Sequence, residues 1–262
     1  MNAQIQNRVQ TEFRLLINGR LVPGVSTFDV TNPATEQVVA ACPRADARLL
    51  EQAVAAAKAA FPTWSARSIG ERRRLLIELA DALAARAGEF ARLLTQEQGK
   101  PLVYATGEVD SAVGMLRTFA SMDLPVKVLK ETERSRIIEH RTPLGVVAAI
   151  TPWNFPVAIL INKVAPALLA GNTVVAKPAP TTPLTSLLFG ELCARILPEG
   201  VVNVIADLNE PLAQTVAASL GERAIAVKTD VSSEESVANL ITATVEAFGG
   251  LDLFVSNAGV LK

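Results

Sequence analysis

Along the first half of the chain, the hydrophobic positions recur mainly at helical spacing. Apolar residues fall three or four positions apart after Asp46, and again after Ser68, so the pattern predicts two amphipathic helices there. Ser68 and Glu71 have the spacing of a capping box, in which each side chain satisfies a free amide at the start of a helix. Gly99 predicts the end of the second helix, and a third helix is expected over residues 102–120. The apolar stripe of the second helix consists of Leu75, Leu76, Leu79, Leu83, Phe90 and Leu94.

Two stretches of the same half have the pattern of strands. The apolar run in "FRLLINGRLVP" is interrupted by Asn18 and Gly19, a pair typical of hairpin turns, so residues 13–40 are expected to form short strands. The stretch "SRIIEHR" predicts a further strand, at the edge of a sheet. Residues 1–144 are therefore interpreted as a helical and β-hairpin region.

From Gly145 onward, predicted strands alternate with predicted helices. The stretches "GVVAAI", "NTVVAK" and "VVNVIAD" favour strands, whereas "FPVAILINKVAPALLAG" and "PLTSLLFGELCARIL" favour helices. This alternation is typical of an α/β protein with a Rossmann-like parallel sheet and helices on both faces. Beyond residue 206 it continues with the strands "AIAVKTDV" and "LDLFVSNAGV", which we expect to extend the same sheet.

Composition narrows the classes of partner. Half of the 262 residues are hydrophobic, 19% are charged and the formal net charge is −1, which indicates a globular protein without broad attraction to nucleic acid or anionic membranes. No uncharged apolar run reaches the length of a membrane span, and the N-terminus is polar where a signal peptide needs an apolar core. We therefore expect a cytoplasmic protein that binds neither nucleic acid nor membrane. Two cysteines and one histidine are too few for a zinc site.

The charge is distributed unevenly along the chain. From Ala206 to the end there are eight acidic and three basic residues, and fourteen of the fifteen prolines precede Ala206. This shift favours a boundary between residues 145–206 and residues 207–262, although an acidic C-terminal domain would give the same pattern. Three segments are thus predicted, with the helical and hairpin region as the first.

Two long motifs carry the chemistry. They are "ITPWNFP" at 150–156 and "KVAPALLAGNTVVAKPAP" at 163–180. Together with "NPATEQVVA" and "HRTPLGVVAAITPWNFP", they resemble the N-terminal half of the NAD(P)-dependent aldehyde dehydrogenases over about residues 13–206. The resemblance implies oxidation of a small-molecule aldehyde to a carboxylic acid, with NAD or NADP as the cofactor.

The resemblance also implies roles for single residues. Asn154 matches the asparagine whose amide donates a hydrogen bond to the oxyanion that forms when a cysteine thiolate attacks the aldehyde. Lys177 matches the lysine that holds the adenosine ribose. Both residues follow predicted parallel strands, where α/β sheets bind their ligands. The residues expected to line the cofactor cleft are Ile150, Thr151, Pro152 and Trp153.

Taken singly, these residues have simpler explanations. Trp153 could be a packed aromatic residue, and Lys177 a solvated residue at the end of a strand. Within the complete motif, the functional interpretation is favoured. One departure stands out, because many members of the family have an acid near Pro180 and this chain has "KPAP". That leaves Lys177 alone at the ribose and the choice between NAD and NADP open.

The catalytic nucleophile is not found by the same comparison. Cys42 follows a β-like run and Cys193 lies within a predicted helix, so neither has the context of the family cysteine, which lies far beyond residue 206 in full-length members. The glutamate that activates the hydrolytic water is likewise not matched. We therefore expect an incomplete site that is inactive by itself, with weak or residual binding of NAD or NADP.

The last segment resembles a second family. Residues 204–262 look like the early-middle part of the short-chain dehydrogenases, in which an acid at the end of the second strand holds the ribose hydroxyls. Asp207 matches that acid, although a helix cap is an equal alternative. Asp230 and Val231 match a pair that contacts adenine, and Asn257 begins the "NAG" motif that supports the cofactor.

The stretch "VVNVIADLNE", residues 201–210, suits both families and is the expected junction of a hybrid. Two alternatives remain open beside the aldehyde dehydrogenase hypothesis. One is a short-chain dehydrogenase-type NAD-binding fragment. The other is a non-catalytic interaction protein, which would form homo-oligomers through exposed strand edges.

Overall fold

The computed structural model describes residues 12–206, 227 and 233–249. The chain divides into two compact units, residues 1–208 and residues 209–262. Among the described residues, all strands and the first six helices belong to the first unit. In the second, the helix α7 (Glu234–Phe248) begins at Ser233, whose hydroxyl accepts a hydrogen bond from the Ser236 amide over 3.2 Å, and ends at Gly249.

The N-terminal region opens with two antiparallel pairs of strands. β1 (Leu15–Ile17) and β2 (Arg20–Val22) form the predicted hairpin. Asn18 and Gly19 both adopt positive φ angles in the turn, 51° and 73°, as the tight turns of hairpins require. β3 (Ser26–Thr31) pairs with β4 (Val38–Arg44) in a separate two-stranded sheet.

Four helices follow: α1 (Ala47–Ser65), α2 (Ile69–Ala85), α3 (Ala87–Gln98) and α4 (Leu102–Ser121). Ser68 and Glu71 form the predicted capping box at the start of α2. The prediction of a single long helix after Ser68 is wrong, because the main chain leaves the helical conformation at Arg86. The apolar stripe continues across this break because α2 and α3 both pack on α4 and on a later helix, α6 (Leu184–Ile196).

The main sheet is assembled from distant parts of the chain. β7 (Val146–Ile150), α5 (Pro156–Leu169), β8 (Thr173–Lys177), α6 (Leu184–Ile196) and β9 (Val202–Val204) alternate as predicted, and β7, β8 and β9 are parallel. The strand order is β2-β1-β9-β8-β7, with β1 antiparallel to β9. The α/β fold is confirmed. The five-stranded sheet is mixed because the N-terminal hairpin joins it, which the sequence pattern did not indicate.

Helices cover the sheet and enclose its inner strand β8. α1 packs on β1, β7, β8 and β9, whereas α5 and α6 pack on sheet strands and on each other. Thr173–Ala176 of β8 is fully buried, as expected for a strand covered on both faces. The Asn203 side chain accepts a hydrogen bond from the Asn18 amide over 2.9 Å and donates one to the Gly200 carbonyl over 2.9 Å, which fixes the hairpin to β9.

The remaining hairpin is exposed along its length. Within the part of the chain that the structure describes, β5 (Lys127–Thr132) and β6 (Ser135–Glu139) pair only with each other. Their exposed apolar side chains include Val128, Leu129, Ile137 and Ile138. The trailing strands predicted at 224–231 and 251–260 lie outside the described residues, apart from Val227. None of the helices in the described part of the chain has the length and apolar character that a bilayer span requires.

Candidate active site

The carboxyl ends of β7 and β8 bring the predicted residues together. Ile150 and Lys177 are opposite each other in the parallel ladder, and the Thr151 amide donates to the Lys177 carbonyl over 3.1 Å. The segment 150–154 therefore leaves the sheet beside Lys177, at the edge where parallel α/β sheets bind ligands. The predicted residues Asp207, Asp230, Val231 and Asn257 lie outside the described residues.

The cleft residues differ in their surroundings. Ile150 is 64% exposed and Trp153 is half-exposed, whereas Thr151 is buried. The Thr151 hydroxyl has no hydrogen-bond partner within the described part of the chain. Trp153 lines a cavity of about 440 Å³ together with Pro180 and residues of β3.

The Lys177 side chain is partly buried and weakly restrained. Its ammonium donates to the Pro178 carbonyl over 3.4 Å, and no carboxylate among the described residues forms an ion pair with it. A cation without a protein counter-charge can donate to the hydroxyl groups of a sugar. The role of Lys177 at the ribose stays a prediction from the resemblance.

Asn154 has an exposed side chain and a restrained main chain. Its carbonyl accepts hydrogen bonds from the Lys100 ammonium over 3.1 Å and from the Gln98 amide over 3.4 Å. Its own side-chain amide has no partner within residues 12–206 and 233–249. An unpaired amide facing solvent beside a ligand-binding edge is available to a reacting group.

A buried ion pair lies directly beneath this segment. Glu108 accepts hydrogen bonds from the amides of Val157 and Ala158 over 3.0 and 3.1 Å and pairs with Lys100. The Lys100 ammonium also lies 4.0 Å from the centre of the Phe155 ring. These contacts were not predicted from the sequence, because they join Lys100, which follows α3, and Glu108 of α4 to main-chain groups 49 to 54 positions further along the chain.

A second buried acid holds the next helix. Glu97, at the end of α3, accepts hydrogen bonds from the amides of Leu184 and Thr185 over 2.7 and 3.0 Å and from the Thr185 hydroxyl. The pKa of Glu97 is raised to about 7, mainly because the side chain is buried. The hydrogen bonds from Thr185 and Leu184 act in the opposite direction, and the charge of Glu108 adds to the increase. The first-turn amides of α6 are thereby satisfied by a side chain.

Neither cysteine has the surroundings of a nucleophile. Cys42 and Cys193 are buried, and burial raises the pKa of both thiols far above its ordinary value. Both are therefore protonated at neutral pH, whereas the nucleophile of covalent catalysis is the thiolate. Neither side chain lines the cavity beside Trp153 or the cavity described next.

The second cavity adjoins Phe155. It has a volume of about 570 Å³ and lies between the end of α3, α4 and the start of α5. Polar and apolar side chains both line it, including Lys100, Tyr104, Ser111 and Phe155. Because Lys100 and Phe155 line it, the cavity lies next to Asn154.

Comparison with known proteins shows to which family the chain belongs. The sequence profile of the Aldehyde dehydrogenase family matches residues 22–248. The chain belongs to the aldehyde dehydrogenase family. A curated relative, 3,6-anhydro-alpha-L-galactose dehydrogenase of Streptomyces coelicolor, is 43% identical over 182 residues, which are 68% of this chain and 37% of that protein.

Solved structures agree with this assignment to the aldehyde dehydrogenase family. An NADP-dependent enzyme of E. coli is 36% identical with a TM-score of 0.73, over 78% of this chain and 44% of the other. PnpE in complex with nicotinamide adenine dinucleotide is 38% identical with a TM-score of 0.72, over 76% of this chain and 42% of the other. The chain thus spans about two fifths of the length of the relatives it matches.

The family match also bears on the predicted junction. It continues through residues 201–210 to residue 248 and gives no support to a short-chain dehydrogenase fragment. The hybrid therefore remains a prediction from sequence motifs.

Proposed function

We propose that this chain provides the oxyanion donor and part of the cofactor cleft of an NAD(P)-dependent aldehyde oxidation site. The observation that carries the proposal is the exposed Asn154 amide just beyond β7, beside Lys177 at the end of β8. The curated relatives include dehydrogenases of 3,6-anhydro-alpha-L-galactose and of 3-sulfolactaldehyde, which are 43% and 42% identical over the matched residues. The reaction class is thus an aldehyde oxidation.

Each residue of the site has a limited task. The Asn154 amide would donate to the oxygen that becomes negative when a nucleophile adds to the carbonyl carbon, and a pre-aimed donor of this kind is worth about 3 kcal/mol in the transition state. Lys177 would hold the ribose hydroxyls of the cofactor. The segment 150–153 would form one wall of the cleft, with the Thr151 hydroxyl buried and unpaired among the described residues. A bound nicotinamide would accept the hydride from the substrate carbon.

Binding of the cofactor to this chain by itself should be weak. A dinucleotide pyrophosphate commonly binds at the free amides of a helix N-terminus. At α5 these amides donate to Glu108, and at α6 they donate to Glu97. The helices α5 and α6 therefore present carboxylates where a phosphate would otherwise bind.

Turnover should also be absent from the isolated 262-residue protein. Both of its cysteines are buried thiols, so neither supplies the nucleophile for which Asn154 is the donor. The choice between NAD and NADP stays open, because Pro180 stands where an acid would discriminate. We expect no aldehyde-dependent formation of NADH or NADPH, and replacing Cys42 or Cys193 with alanine should change nothing.

Calorimetric titration with NAD and NADP tests the proposal. We expect dissociation constants weaker than about 1 mM, and a further loss in Lys177→Met, which removes the ribose contact. Lys58→Met, an exposed change on α1, is the matched control and should bind as the unaltered protein does. Submillimolar affinity would contradict the weak-binding claim, and an unchanged Lys177→Met would contradict the assigned cleft.

We further propose that the protein forms homo-oligomers through its exposed strand edges. The hairpin β5–β6 supports this, because its unpaired edges and exposed apolar side chains are features that strand pairing would cover. Sedimentation of Leu129→Lys against the unaltered protein tests it, with dissociation of the oligomer expected.

The two unpaired thiols also favour the reducing cytoplasm as the location of the protein.

The hybrid hypothesis remains a second proposal. The division into compact units at 208/209 falls within the stretch 201–210, which favours a junction there. A short-chain dehydrogenase-type fragment would need complementary strands from another chain. Hydride-transfer activity that appears only after mixing with such a complementary fragment would support it, and an inactive mixture would oppose it.

A further inference from the structure

The ion pair between Lys100 and Glu108 has an unusual place in the fold. Their side chains are 10% and 1% exposed, so both charges are withdrawn from water. Burying two charges is costly, and an apolar pair of similar volume would often stabilise a protein as well or better. A contribution to stability is therefore a weak explanation for this pair.

The contacts of the pair point to a local task. Glu108 accepts from the amides of Val157 and Ala158, while Lys100 donates to the Asn154 carbonyl and contacts the Phe155 ring. The two side chains thus hold both ends of the segment 154–158. An apolar pair could fill the same volume but could make none of these hydrogen bonds.

The segment has few other restraints close to its functional end. Gln98 donates to the Asn154 carbonyl over 3.4 Å, a longer hydrogen bond than the one from Lys100. The Asn154 side-chain amide has no partner within the described part of the chain. Its direction therefore depends on the main chain that Lys100 and Glu108 hold.

We propose that Lys100 and Glu108 are positioning residues, which fix the segment 154–158 and thereby aim the Asn154 amide. The final step of this inference rests on the proposed function of Asn154. Fixing the segment is a property of the protein without cofactor or substrate, so it is tested separately from aldehyde oxidation.

Tryptophan fluorescence gives a local measurement. The chain has two tryptophans: Trp153, directly before Asn154 and 50% exposed, and Trp64, 1% exposed in the core. Trp64→Phe leaves Trp153 as the single reporter and removes an indole N–H that has no partner among the described residues. Trp153→Phe gives the reciprocal protein, in which Trp64 reports on the core.

In the Trp64→Phe background, Lys100→Met should increase acrylamide quenching of Trp153 by about twofold and lower its anisotropy, because the segment loses a tether. Lys100→Arg keeps the charge and the donors and should largely restore both values. Arg86→Met, which breaks the partly buried pair of Arg86 with Glu191, is the matched control and should leave Trp153 unchanged. Trp64 should respond to neither change at position 100.

A second readout observes the asparagine itself. The Asn154 side-chain amide signal in a nitrogen-15 spectrum can be assigned by its loss in Asn154→Ala. It should shift in Lys100→Met and in Glu108→Gln, which keeps the shape of the acid and removes its charge. If Lys100→Met fails to fold, Glu108→Gln carries the same test.

Two results would overturn the positioning role. The first is quenching of Trp153 and an Asn154 signal that stay unchanged in both variants. The second is an equal response of Trp64 and Trp153, because it would show a general loss of structure. Titration with NAD and NADP reports on the proposed function independently of either result.

Discussion

The Glu97 carboxylate accepts a hydrogen bond from the main-chain amide of Leu184 over 2.7 Å, across 87 positions of the sequence. Glu108 makes the corresponding contact with the amides of Val157 and Ala158. The helices α5 and α6, which follow the parallel strands β7 and β8, are therefore each capped by an acid from the helical region. Formation of the sheet and packing of the N-terminal helices are coupled through these two carboxylates.

Glu97 should make stability depend on pH. Its pKa is about 7 in the folded protein, above the ordinary value of 4.5, so the folded state binds the proton more tightly than the unfolded state does. The stabilisation of the folded state by this more tightly bound proton is fully present below the unfolded pKa of Glu97. It is lost as pH rises through the folded pKa. Between about pH 5 and pH 8, this should lower the free energy of unfolding by on the order of 2 kcal/mol.

Urea unfolding of the unaltered protein and of Glu97→Gln, across the same pH range, measures this effect. The glutamine cannot titrate, so the difference in unfolding free energy between the two proteins should change with pH and level off above the folded pKa. A constant difference would show that the Glu97 carboxylate does not titrate in this window.

Asn203→Ala should be strongly destabilising. It leaves the buried Gly200 carbonyl without its side-chain partner, at a typical cost of about 1–3 kcal/mol, and also removes the acceptor of the Asn18 amide, which belongs to an exposed turn and can bind water, so a total of about 2 kcal/mol is expected. Asn32→Ala is the control, because the Asn32 side chain accepts from Ala34 in an exposed turn and should cost less than about 1 kcal/mol. Equal losses in the two variants would contradict the tie between hairpin and sheet.

The local features of this fold could be predicted from the sequence. The capping box of Ser68 and Glu71 and the turn at Asn18 and Gly19 are encoded within a few adjacent residues, and both formed as expected. The break at Arg86 could not be predicted in this way. The apolar stripe repeats on both sides of it, and the interruption depends on how α2 and α3 meet α4 and α6.

The candidate site also contains both residues that the sequence could predict and residues that it could not. Asn154 and Lys177 belong to contiguous motifs and follow strands, so their common edge was foreseeable from the alternation of elements. Lys100 and Glu108 are ordinary charged residues in the sequence, and they gain their partners only when α4 and the residues just before it pack against α5 and the segment that precedes α5. The sequence around a charged residue does not identify the distant main-chain group that its side chain will bind in the fold.

Both thiols should be unreactive in the folded protein. Burial raises the pKa of Cys42 and Cys193, so neither the accessibility nor the thiolate that disulfide exchange requires is present. With an aromatic disulfide reagent, we expect fewer than about half an equivalent of thiol to react in buffer at neutral pH, and both to react in guanidinium. Cys42→Ala and Cys193→Ala assign any signal that appears. Fast reaction of one thiol in the folded protein would reopen its candidacy as a nucleophile.

Gly99→Ala should weaken both the fold and the site. Gly99 has a φ angle of 82°, and a Cβ atom added there would lie 2.7 Å from Cγ of Pro33. The left-handed turn at Gly99 also separates Gln98 from Lys100, the two residues that donate to the Asn154 carbonyl. A loss of about 2 kcal/mol in unfolding free energy is expected, from backbone strain together with the steric contact. Quenching of Trp153 should rise as well, because the two donors are displaced.

Gly114→Ala should change the stability of the protein in the opposite direction from Gly99→Ala. Gly114 lies in α4 with no atom within 4 Å of an added Cβ, so alanine should favour the helix and raise stability by about 0.5–1 kcal/mol. Thermal unfolding of the two variants compares one substitution in two backbone conformations. If Gly99→Ala were as stable as the unaltered protein, the turn would not be the feature that brings Lys100 back to Asn154.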